Sequence, residues 1–252
     1  MKRKTVKKIV YLLVLFPIAL FAFGWVYVNF FIKLDTLEVD RYYELLSKHA
    51  KSPGGLVFTL DIEEDDDMQV IADKLKRVMG LKGYRLWVGY GETHNRPAFI
   101  KTISPGIATI TLSRKVKQKS ELINVLIHEL SHIYVWNMSR SILKDCDEEK
   151  FVDCTGVFLG LGIQMLNGLT DDVFFMPGGE YQAQKKMYGY IKPEQLGYLL
   201  ARYCVERGIN RDKVTPFLSS AGRKYFNIGY NYLKRDGLKK EPKKVRNALK
   251  KY

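Results

Sequence analysis

Residues 122–137 read LINVLIHELSHIYVWN. Two histidines, His128 and His132, stand four positions apart, a glutamate follows the first, and the neighbours are apolar. Apolar residues on every side predict a buried helix, since a surface helix would show a charged face. On a helix, residues i and i+4 project from one face a turn apart, so both imidazoles can reach a single ion. Glu129 falls beside them, placed to take a proton from an attacking water rather than to ligate. Isolated ionisable groups on a buried helix are costly without partners, which argues that the three act together.

Catalytic zinc takes three protein ligands and keeps one position for water. No histidine follows His132, and Val135 and Met138 occupy the positions where HExxHxxGxxH requires its glycine and last histidine. The third ligand is therefore a carboxylate, a cysteine, or one of the distant His49 and His94. A loop histidine such as His94 is ordinarily just solvated.

Residues 145–162, DCDEEKFVDCTGVFLGLG, answer best. Glu149 and Asp153 are again i and i+4, at the start of a helix expected over 147–167 that carries no charge after Asp153. Glu149 is the expected ligand, with Asp153 accepting a hydrogen bond from the far nitrogen of a ligating histidine. Gly156 and Gly160, on the same face, would let this helix approach the metal helix closely. Asp145, Asp147, Glu148, Cys146 and Cys154 compete for the ligand role, although Asp147 suits the N-cap better and Cys154 points about 100° away from Asp153.

HExxH followed on a second helix by ExxxD resembles the gluzincin metallopeptidases, in particular the membrane-bound branch with the CAAX prenyl endopeptidases and the bacterial heat-shock membrane proteases. The resemblance covers residues 106–166 and carries over to His128, Glu129, His132, Glu149 and Asp153. It implies a zincin-like core, a Zn2+ cofactor and hydrolysis of a peptide or protein substrate. It also implies that the strand in GIATITLSR (106–114) binds extended substrate, and that a tyrosine helps to stabilise the oxyanion. Tyr181, Tyr188, Tyr190, Tyr198 and Tyr203 are candidates, with Tyr198 preferred. The chain departs from that branch in having one apolar span where the branch has several, and in placing Glu149 only 17 positions after His132; prenylated substrates are therefore not carried over.

The net charge of +14 suggests nucleic acid until it is placed along the chain. Lys2, Arg3, Lys4, Lys7 and Lys8 precede the first acid, Asp35, and nine Lys or Arg lie from Lys234 onward, so the body between them is nearly neutral. The basic tail, 234–252, reads as solvated chain or as a segment attracted to an anionic surface; no nucleic-acid recognition motif accompanies it. Residues 9–32 hold no charge. As a helix they span about 36 Å, enough for a bilayer core of about 30 Å, and the apolar run continues past the small residues Ala22 and Gly24 where a cleaved signal would end. The expectation is a transmembrane signal anchor with the basic flank 1–8 in the cytoplasm and the catalytic domain outside. Residues 154–166 are too few for a second span. Three cysteines cannot all pair within one chain, so no disulfide framework is implied.

For the domain over 33–233, strands are expected at 56–60, 84–90 and 106–114, and helices at 66–79, from Ser120, at 147–167, 193–207 and 221–234. Residues 91–99 read as a loop. The acids of DIEEDDD (61–67) are expected in the first turn of their helix, where they favour its dipole. The fold class is α+β, a small sheet beside a helical half that carries the HExxH helix. A membrane-anchored zinc metallopeptidase follows. The alternative is a catalytically inactive, membrane-tethered binding protein on a peptidase-like scaffold, its tail holding an anionic partner.

Overall fold

A computed structural model describes residues 34–50, 55–94, 96–175, 181–186 and 189–237. The expected anchor at 9–32, its basic flank and the tail beyond residue 237 lie outside the described residues. Among the described residues no helix is long and apolar enough to cross a membrane. The body is α+β, with a three-stranded sheet beside a set of helices.

Helix α1 (Leu37–His49) buries Val39, Tyr42, Tyr43 and Leu46 at spacings of three and four, a stripe that the sequence reading overlooked. Residues 56–60, expected as a strand, are not one; Val57 instead donates its amide to Gly160 O at 2.9 Å. Helix α2 (Met68–Val78) follows the acidic run and does not include it: the Asp67 side chain accepts the Val70 amide at 2.8 Å as N-cap, so the acids stand before the first turn. Ile71, Ala72 and Leu75 face inward, and Gly80, at φ 75°, ends the segment. Asp66 takes Lys74 Nζ at 2.7 Å, and the Lys119 ammonium donates to the Glu63 and Glu64 carbonyls, tying the acidic loop to the start of the helix that carries the histidines.

Strands β1 (Arg85–Tyr90), β2 (Ala98–Ser104) and β3 (Ile107–Leu112) form a sheet in the order β1-β3-β2, β3 pairing parallel with β1 and antiparallel with β2. The expected substrate strand, β3, is thus central and paired on both sides. Its alternation buries Ala108, Ile110 and Leu112. Both β1 and β2 are edges; β2 lacks that alternation because its outer part is exposed, and it begins within the stretch read as a loop.

Helix α3 (Lys119–Trp136) carries the histidines and is buried over most of its length. It starts one residue before Ser120, with Gln118 as N-cap. The short α4 (Arg140–Leu143) leads to α5 (Glu148–Gly156), whose N-cap Asp147 accepts the Lys150 amide at 3.3 Å. The helix expected over 147–167 is broken: a π-turn at Val157–Leu161 separates α5 from α6 (Gly162–Asn167). Gly160 makes the break, at φ 92°, and a Cβ there would lie 2.5 Å from the Gly55 carbonyl oxygen. It therefore serves the kink and not the approach to α3. Gly156 does serve that approach, since a Cβ on it would meet Ile127 Cγ2 of α3 at 2.9 Å. Gly156→Val is expected to wedge α5 away from α3 and cost about 1–3 kcal/mol, the usual range for overpacking, read as a lowered midpoint in thermal unfolding.

A hairpin, β4 (Thr170–Phe175) with β5 (Tyr181–Lys186), precedes α7 (Pro193–Glu206); the short α8 (Arg211–Val214) then leads to α9 (Ser220–Tyr232). Helices α7 and α9 cross glycine to glycine. A Cβ on Gly197 would lie 2.2 Å from Tyr225 O, and one on Gly229 would lie 2.4 Å from Tyr198 Cα. The buried Arg202 of α7 ties α1 to this pair: it meets Asp40, Glu44 at 3.6 Å and Glu206 at 2.9 Å, with its guanidinium over the Tyr43 ring.

Candidate metal centre

Helices α3 and α5 lie against each other with the two i, i+4 pairs facing across the contact. Glu149 Oε2 is 3.1 Å from His128 Nε2 and 3.4 Å from His132 Nε2. Those separations match the edge of a tetrahedron about a zinc ion with ligand bonds near 2.05 Å, roughly 3.3 Å. One donor atom from each of His128, His132 and Glu149 falls within a mutual 4.8 Å. Two imidazole nitrogens and one carboxylate oxygen, with a cavity in front of them, are a donor set that zinc accepts while keeping a position open.

The surroundings orient these groups. Asp153 Oδ1 is 2.8 Å from His128 Nδ1, which leaves Nε2 toward Glu149. The other Asp153 oxygen accepts the backbone amides of Tyr190, at 2.5 Å, and Ile191, at 3.1 Å. One buried carboxylate thus fixes both a candidate ligand and the strap 189–191. A Cβ on Gly189 would lie 3.1 Å from Asp153, so the strap runs close over it. The Tyr190 ring stacks on His128 at 5.4 Å, and Trp136 lies over His132 at 5.7 Å. His132 is held more loosely: its Nδ1 is buried without a hydrogen bond among the described residues, Glu148 Oε1 standing 3.8 Å away.

Electrostatics separate the roles. Burial alone would lower the His128 pKa, but the hydrogen bonds its ring donates to the Asp153 and Glu149 carboxylates outweigh it and raise it to about 10. Burial and the charge of His128 push His132 down, and the hydrogen bond to His128 holds Glu149 low. Glu129 is buried one residue along from His128, and burial pushes its carboxyl up to about 7, against the opposing charge of His128 and a hydrogen bond from the Ile100 backbone. A carboxyl that titrates near neutrality suits proton transfer in both directions.

A cavity of about 150 Å³ opens on these groups, walled by Ala98, Phe99 and Ile100 of β2, Trp136 of α3, and Tyr190, with Arg96 at its rim. Tyr198, the preferred oxyanion residue, is elsewhere: it is buried, its hydroxyl donates to Asp40 Oδ1 at 2.6 Å, and it does not line the cavity. Tyr203 is buried under the Arg207 guanidinium, 3.7 Å from its ring centre. The Tyr181 side chain and Tyr188 lie outside the described part. Of the three candidate tyrosines whose side chains are described, Tyr190 is the one that lines the cavity. His49 and His94 are exposed and apart from the cluster, His94 at φ 46°. Cys146, Cys154 and Cys204 are free thiols, and burial pushes the Cys154 thiol well up, away from the thiolate that ligates. Arg96 and Trp136 escaped the sequence reading, because one sits in an irregular turn and the other looks like ordinary helix packing. In comparisons with known proteins, no family model matches the chain, and no curated protein or solved structure is significantly similar to it.

Proposed function

We propose that the chain is a membrane-anchored, zinc-dependent metallopeptidase of gluzincin type, with His128, His132 and Glu149 as ligands and Glu129 as general base. The observation that carries this reading is the Glu149 carboxylate between the two Nε2 atoms, 3.1 and 3.4 Å from them. When bound, zinc would supply Lewis acidity, polarising an attacking water and the scissile carbonyl. Glu129 takes the proton from that water and delivers it to the leaving amine. Asp153 holds the His128 ring in the required tautomer and keeps Tyr190 on the cavity wall. The Tyr190 hydroxyl, a phenol whose pKa partial desolvation raises further, is the group we assign to the developing oxyanion. The exposed edge of β2 offers backbone groups to an extended peptide, which the paired β3 does not. The uncharged run 9–32 supports the anchor.

The test is zinc content of the purified chain together with peptide hydrolysis, its loss on chelation and its return with added zinc. One zinc per chain and chelator-sensitive cleavage are expected; zinc-bound protein that cleaves nothing would favour the inactive binding scaffold. Zinc uptake carries a second expectation. His128 holds a proton up to about pH 10 in the metal-free site, and the metal must displace it. Binding at pH 7 should therefore release about one proton, and apparent affinity should climb as the pH rises toward 10. Titration calorimetry in buffers of different ionisation enthalpy reads both.

A further inference from the structure

Resting on the peptidase reading, we propose that Arg96 makes the cleft selective for peptides carrying a carboxylate beside the scissile bond, as an acidic side chain or a free C-terminus. Arg96 is the one Lys or Arg among the described residues that line the cavity. The carboxylates around it are otherwise engaged: Glu149 with both histidines, Glu148 with the Trp136 indole at 3.3 Å, and Glu129 with the Ile100 backbone. Among the described residues Arg96 forms no ion pair of its own, yet its charge is felt at Glu129, Glu149 and Tyr190, so it faces the reacting centre.

The position is built. The Arg96 amide donates to Thr93 O at 3.0 Å, and the Thr93 hydroxyl returns a bond to Arg96 O at 2.6 Å, with Thr93 itself buried. Pro97 follows, and its carbonyl accepts the Ser113 amide at 2.8 Å just past the end of β3. Arg96 is thereby set immediately before the edge strand β2 and at the rim of the cavity, where a peptide paired to that strand must pass it. A planar guanidinium with free donors matches a carboxylate in bidentate fashion, and a neutral amide much less well.

The test uses the full chain carrying Glu129→Gln, loaded with zinc, and Ala-rich octapeptides blocked at both ends with one Glu, Gln or Lys at each position. A matching pair with an amidated or a free C-terminus separates the two carboxylate sources. We expect one position, or the free C-terminus, to bind about five- to tenfold more tightly as carboxylate than as amide, the range of a charge-assisted pair partly open to water. Adding R96Q should erase the difference, and R96E should turn the preference toward Lys. Equal binding of Glu and Gln peptides in the parent, or a preference that survives R96Q, would overturn the assignment of Arg96. Cleavage of the same series by the unaltered chain is scored separately. Its absence would count against the peptidase reading, while the binding series still decides Arg96.

Discussion

Glu129→Gln is expected to leave zinc bound and to lower peptide hydrolysis by about 10²–10⁴-fold, the contribution typical of a positioned general base. The amide keeps the shape of the carboxylate and can still meet the Ile100 backbone, so the buried site has no reason to collapse. It cannot accept the proton from water. Because Glu129 stands beside the three converging donors and is not one of them, zinc stoichiometry measured alongside the rate separates loss of the proposed base from loss of the metal. Unchanged cleavage in this variant would remove Glu129 from the mechanism.

Glu149→Ala is expected to abolish tight zinc binding at this site, and the loss should exceed that of Asp153→Asn. Glu149 faces both Nε2 atoms, so its removal leaves two imidazoles and water. Asp153 acts one step removed, through His128 Nδ1, and changes at such positions commonly weaken metal binding by about 10–100-fold. Asp153→Asn should also loosen the strap at Tyr190, because the same carboxylate accepts the Tyr190 and Ile191 amides. Competition against a fluorescent zinc chelator gives both affinities. If the two variants proved equal, Glu149 would not stand in the innermost set.

What was legible in the sequence was the part governed by helical spacing. His128 with His132, and Glu149 with Asp153, are local patterns, and the i, i+4 rule aims each pair correctly whatever the rest of the fold does. Asp147 as N-cap, Gly80 as helix stop and Gly156 as a contact glycine followed from equally local chemistry. The failures are tertiary. Tyr198 sits on a helix near the right place in sequence, but its side chain is claimed by Asp40 of α1, a helix that had not been anticipated. The resemblance puts the substrate strand at β3, but β3 is paired on both sides, and it is the edge strand β2 that lines the cavity. Gly160 was read as a packing residue when its positive φ makes it the hinge of a π-turn. Arg96 had no periodic signal at all; its place is set by the Thr93 turn and the start of β2.

Whether α3 and α5 bring two imidazoles and one carboxylate onto a single zinc ion is decided by anomalous diffraction from crystals of the zinc-loaded protein, recorded on both sides of the zinc absorption edge. One strong peak is expected, bonded to His128 Nε2, His132 Nε2 and a Glu149 carboxylate oxygen. A peak elsewhere, or an ion on the histidines with Glu149 turned away, would contradict that arrangement.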